Sequence, residues 1–170
     1  MTPGDRLPTK ARPDGPDDPH GALRDLVQDT PPARLPSELR AQVARVVDDC
    51  PNWDGVITIA GAGVHHWLHV SAGEVISMMG FLTPQLIADL GGADHPDQTA
   101  LSDTMTRPER LAAHLRSAHL SGDGAAITGH LIGAELAAAK VYWLGQEVRL
   151  IGQGPYLEPL QAQGVSATCL

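Results

Sequence analysis

Aromatic residues are scarce in this chain: one phenylalanine, two tyrosines and three tryptophans. A core must therefore be built from aliphatic side chains and alanine, and a hydrophobic fraction of 42% is enough to build one. Basic residues are outnumbered: 12 Lys and Arg face 20 Asp and Glu, leaving a formal charge of −8. No run of Lys or Arg offsets that balance, which excludes a phosphate-backbone partner and hence nucleic acid. Cysteine is nearly missing too. Cys50 and Cys169 stand alone, with no CxxC and no metal-ligand spacing, so they read as free thiols of a reducing compartment and no metal site is expected. No apolar h-region opens the chain, so no signal peptide is expected. No apolar run approaches the ~20 residues of a membrane span. The expectation is a soluble cytoplasmic chain with no membrane partner, of a length that suits one domain or one lobe of a larger fold.

What is present falls into two parts. Residues 1–34 are rich in Pro, Asp and Gly, bury little, and are expected to be disordered, with one weak helical turn at GALRDLVQD. Residues 35–170 read as a single domain. Ser37 is expected to cap a helix over 37–50, with Leu39, Val43, Val46 and Val47 on one face, closed by Pro51. GVITIAGAG, VHHWLHV and EVISMMGFL then read as three strands of an antiparallel meander, with Gly73 in the second turn. Thr83 is expected to cap a short helix that stops at Gly91-Gly92. Residues 93–105 read as a polar loop. Thr106 is expected to cap a helix through Leu120, and another follows from Ala125 to Tyr142. Strand 147–152, a helix PYLEPLQAQ and a last strand VSATCL complete a β-β-β-α-α-α-β-α-β order, an α/β or α+β mixture.

Within this order the run Ile127 to Gly152 holds two helical glycines, Gly129 and Gly133, four apart and so on one face. Each costs about 1 kcal/mol against alanine in a helix. Something must approach the backbone closely there, a packed element or a ligand. Gly152 and Gly154 end the following strand in a flexible turn, either bordering a nucleotide or simply turning the chain. AGAGVHH can be a phosphate nest or a plain turn between paired strands. His65, His66 and His69 read as solvent-facing strand histidines, two on one face and His66 on the other. Glu135 reads as a partly exposed helix glutamate, as a ligand contact, or as the anchor of a neighbouring loop. Tyr142 and Trp143 are expected to anchor their helix end in the core.

LIGAELAAAKVYWLGQEVRLIG resembles the C-terminal part of the 2-dehydro-3-deoxygalactonokinases, with their Gly-Ala-Glu-Leu helix, Tyr-Trp-Leu-Gly turn and Leu-Ile-Gly strand end. Upstream, Trp67, Ser71-Ala72-Gly73-Glu74, Phe81 and Thr83 keep the family's spacing without a gap. The resemblance covers roughly residues 54–90 and 121–168. It implies a ribonuclease H-like lobe, a mixed β-sheet flanked by helices, in the sugar kinase, actin and Hsp70 superfamily, and incomplete relative to a two-lobe kinase. It also implies transfer of the ATP γ-phosphate, with magnesium, to the 6-hydroxyl of 2-dehydro-3-deoxygalactonate. Such chemistry rests on positioning and charge stabilisation. The residues it points to for phosphate or nucleotide are Gly61, Gly63, Gly129, Gly133, Gly152 and Gly154. On the substrate side they are Thr83, Gln85 and Glu135, and no base is singled out.

Several positions depart from the family pattern. Nothing matches its opening Asp-Trp-Gly-Thr phosphate turn. Gly63 and His66 stand where a threonine and a lysine are expected, and Thr83-Pro84-Gln85 replaces Thr-Gly-Glu, exchanging a carboxylate for an amide. The alternative is accordingly a degenerate, non-catalytic relative that binds a ligand or a partner. A homo-oligomer, or a first lobe on a separate polypeptide, remains open.

Overall fold

A computed structural model describes residues 27–29, 32–61, 63–152 and 154–170. The first 26 residues of the stretch expected to be disordered lie outside the described residues. Beyond them, β1 (Val27–Asp29) pairs antiparallel with β2 (Pro32–Arg34), a ribbon in a stretch expected to be disordered apart from one weak helical turn that included residues 27–29. Leu35 follows it and is fully buried, which ties the ribbon's end to the core.

The body is a five-stranded mixed sheet in the order β5-β4-β3-β6-β7. β3 (Gly55–Gly61), β4 (Val64–Ser71) and β5 (Glu74–Phe81) form the expected antiparallel meander. The Ala72-Gly73 turn between the last two has positive φ at both residues. β6 (Glu147–Ile151) lies parallel to β3, and β7 (Ser166–Cys169) lies parallel to β6. Helices cover both faces, as a sheet with parallel pairs requires. On one side α1 (Ser37–Asp49) packs Leu39, Val43 and Val47 over Ile57, Ile59, Leu68 and Val70. On the other, α5 (Gly124–Ala138), α6 (Lys140–Trp143) and α7 (Leu157–Ala162) close over Val56, Trp67, Val148 and Leu150. Tyr142 and Trp143 are buried in that second layer, as expected, with the Trp143 indole N–H donated to the Leu136 carbonyl at 2.8 Å.

Three short helices pack outside α5. α2 (Thr83–Leu90) ends on Gly91 in the left-handed conformation. α3 (Gln98–Thr106) occupies most of the stretch read as a loop. A 3-10 turn (Pro108–Arg110) then leads into α4 (Leu111–Ser121). α3 forms because the Asp97 carboxylate accepts the Ala100 N–H at 2.7 Å, an N-cap, and because Ala100, Leu101 and Thr104 find a partner surface on α5. The other expected caps differ. Pro36 precedes α1 and Ser37 makes no capping bond; Thr83 is the first residue of α2 and makes none either; Thr106 ends α3 rather than opening a helix. At the junction of α3, α4 and α5 the buried Thr104 hydroxyl lies 2.7 Å from His114 Nδ1 and 2.9 Å from His130 Nδ1. A hydroxyl has one proton, so at most one ring accepts from it and at least one ring donates to it. No helix among the described residues is long and apolar enough to cross a membrane.

Candidate functional site

Three turns meet at one end of the sheet. β3 ends at Gly61 and β6 at Ile151, and the two strands run parallel with Ile59 beside Ile151. β5 ends at Phe81, opposite His65, which lies opposite Ala60. The Gly61–Val64 turn, the start of α2 and the Gly152 turn therefore share the carboxyl end of the parallel strands, where open α/β sheets place their ligands. Gly63 has φ of +79° and a Cβ there would lie 2.7 Å from Gln85 Oε1. Its carbonyl accepts the Gln85 N–H at 3.1 Å, which docks the turn on the first turn of α2. Gly152, φ +87°, has no neighbour within 4 Å of a Cβ position.

A groove of about 640 Å³ opens at this end. Pro84 and Ile87 of α2 form one wall, residues 93–96 and Thr128 a second, and Gly154, Pro155, Leu157 and Glu158 a third. The second wall is held by α5. The Thr128 hydroxyl donates to the Ala93 carbonyl at 2.7 Å, and the Ala93 and Asp97 N–H groups donate to Gly124 and Ala125. Asp94, His95 and Glu158 are the ionisable residues among the described lining, which includes no lysine or arginine. Such a groove accepts hydroxyl and amine donors against an apolar floor and disfavours a bare phosphate. The described residues include no group of three or more His, Cys, Asp and Glu placed to hold a metal ion.

Beneath the groove lies a buried polar cluster centred on Glu135, whose carboxylate is out of contact with solvent. His65 Nδ1 is 2.5 Å from Oε1. The Trp67 indole N–H donates to the same oxygen at 2.8 Å, and the Tyr156 hydroxyl donates to Oε2 at 2.8 Å. Thr83, buried at the start of α2, lies close enough to lower both the Glu135 carboxyl and the Tyr156 phenol. Burial alone pushes the Glu135 carboxyl up, but the hydrogen bond and charge of His65, with Thr83 and Trp67, outweigh it and hold the group below its ordinary value. Burial first, and then the Glu135 charge, raise the Tyr156 phenol well above its own. An ionised carboxylate only accepts, so His65 carries its proton on Nδ1. The His65 ring stacks on Tyr156 at 3.9 Å between centroids and meets Trp67 edge-on at 5.4 Å.

The sequence-derived candidates sort accordingly. Gly61, Gly63, Thr83, Gln85, Gly152 and Gly154 come together at one end of the sheet. Gly129 and Gly133 do not join them: a Cβ at either would run into the carbonyl oxygens of Asp97 and Leu101, so the close approach is made by α3. Glu135 is buried, not partly exposed, and meets the groove's 154–158 wall through Tyr156. His65 and His66 are buried rather than solvent-facing, because helices cover both faces of β4; His69 is half-buried. Asp94, His95, Thr128, Tyr156 and Glu158 escaped the sequence reading. Tyr156 carried a usable signal, being one of two tyrosines in the chain and placed directly after a Gly-Pro turn.

No family model matches the sequence, and no curated protein does. Among solved structures, a candidate 2-dehydro-3-deoxygalactonokinase protein from Sinorhizobium meliloti superimposes with a TM-score of 0.72 at 21% identity. The alignment covers 86% of this chain and 58% of that one. That likeness shows the fold. The mixed sheet flanked by helices is the architecture of part of a kinase-type structure.

Proposed function

We propose that this chain is the nucleotide-binding part of a sugar-acid kinase, transferring the ATP γ-phosphate to the 6-hydroxyl of 2-dehydro-3-deoxygalactonate. The observation that carries the reading is the position of the groove. It lies at the carboxyl ends of the parallel strands, between the Gly152–Gly154 turn and the start of α2, in a fold shared with a candidate kinase of that type. In this reading the apolar walls, Ile87, Leu157 and the prolines, take the base, and Asp94 and Glu158 accept hydrogen bonds from ribose hydroxyls. The acidic lining keeps the phosphates out of the groove and directs them toward the glycine turn at Gly61 and Gly63, a residue pattern suited to an anion nest. Magnesium enters with the triphosphate, for which one or two protein carboxylates suffice. The substrate 6-hydroxyl oxygen bonds to the γ-phosphorus, the bond to the ADP oxygen breaks, and the hydroxyl proton leaves to solvent or a base. Gln85, exposed in the first turn of α2, sits at the edge that faces the incoming sugar acid.

The test is ATP hydrolysis or transfer by purified protein with the sugar acid and magnesium. Turnover that requires all three supports the reading, and its absence at high protein concentration removes catalysis by this chain. The exchange of Thr-Gly-Glu for Thr83-Pro84-Gln85 favours a second reading, a relative that binds ligand without turning it over. That reading expects ATP or the sugar acid to raise the melting temperature while no ADP forms.

A further inference from the structure

We propose that Glu135 is a positioning residue that fixes the 154–158 wall of the groove, acting through Tyr156. The proposal rests on the nucleotide-groove reading for its ligand but not for its geometry. Tyr156 stands between Pro155 and Leu157, and both neighbours line the groove. That wall is therefore joined to the carboxylate through the residue between them. β4 supplies the fixed side of the joint, because His65 and Trp67 hold Oε1 from the middle of the sheet.

A carboxylate is an expensive way to fill that space. Taking the charge out of water costs several kcal/mol, and well-packed apolar side chains of the same volume often serve stability equally well. What an apolar side chain lacks is direction. The two Glu135 oxygens accept from β4 and from the 154–158 segment, one oxygen each. Gly152 and Gly154 make the chain entering that segment permissive, so the Tyr156 hydroxyl bond is what locates it.

Tyr156→Phe isolates the effect, since it keeps the ring stacked on His65 and removes only the hydroxyl. Glu135→Gln is the companion variant, keeping shape and one acceptor while removing the charge. Two measurements are needed. The first is amide hydrogen exchange without ligand. The expected result is exchange about tenfold faster in residues 154–160, the loss of one hydrogen bond to a charged group, with the amides of β3 and β4 unchanged. The second is calorimetric titration with ATP, for which about tenfold weaker binding is expected in Tyr156→Phe while its melting temperature falls by only several degrees.

Unchanged exchange in 154–160, or acceleration spread evenly over the whole sheet, overturns the proposal in favour of a purely structural cluster. Unchanged ATP affinity in Tyr156→Phe, with the parent binding ATP, overturns it as well. If the parent binds no ATP but exchange is still accelerated only in 154–160, the nucleotide reading falls and the positioning role stands.

Discussion

His66 and Glu135 are both buried titratable groups beside the same sheet, and they meet opposite fates. Glu135 has partners on both oxygens. His66, on the α1 side of β4, has neither ring nitrogen hydrogen-bonded. An unpaired buried polar group costs about 1–3 kcal/mol. Replacing it with an apolar side chain of similar size removes that cost, so His66→Leu is expected to raise unfolding stability by roughly that amount, read from the urea midpoint. Glu135→Ala is expected to do the reverse. It orphans the His65 and Trp67 N–H groups and the Tyr156 hydroxyl together, for a loss of about 3–5 kcal/mol. A result within ~0.5 kcal/mol of the parent for Glu135→Ala would contradict the hydrogen bonding described. Strand alternation made it legible that His65 and His66 face opposite ways. It could not reveal that both faces are covered, because that depends on α1 and α5, which lie far from β4 in the chain.

At the scale of elements, the glycines of α5 are explained by α3. Leu101 and Asp97 present backbone carbonyls to Gly133 and Gly129, and a backbone cannot rotate away as a side chain can. Gly133→Ala gains about 1 kcal/mol of helix propensity but forces the two helices apart, at a typical overpacking cost of about 1–3 kcal/mol. The net expectation is a loss of stability, checked by calorimetric melting; a rise in melting temperature would mean that α3 yields. The close approach to Gly129 and Gly133 was legible in the sequence, but its source was not. α3 is polar, nine residues long and carries only two bulky apolar side chains, Leu101 and Met105. Periodicity therefore gave no sign of it, although its cap, Asp97 three residues ahead of Ala100, is visible once sought. The meander, by contrast, was readable throughout, since β-branched runs and a glycine turn define it locally. The groove was not, because its walls come from three separated segments.

At the scale of the whole molecule, acid should destabilise the fold in two stages. Burial, with His65 nearby, lowers the His66 imidazole, and burial, with His114 nearby, lowers that of His130. Both rings then bind fewer protons folded than unfolded once the pH falls below about 6.5, the ordinary histidine value. Their contribution is complete above that pH and is lost as the pH drops through it. The Glu135 carboxyl is lowered as well, so its contribution persists further and is lost only as the pH falls below the ordinary carboxylate range. The urea midpoint is expected to be flat from pH 8 to about 7, to fall between about 7 and 5, and to fall again below about 4; in His66→Leu the first fall should be shallower. A profile flat down to pH 5 would contradict the buried histidines. The mixed sheet has a consequence in time as well. β3, β4 and β5 close through short turns, and that meander can assemble from neighbours in the chain. β6 reaches β3 only after the whole helical layer has been threaded between them, and β7 must wait for β6. Pairings of such long sequence separation pay their loop-closure entropy before any contact rewards it. The β6–β7 half of the sheet, and with it the groove, is therefore the last to assemble on folding.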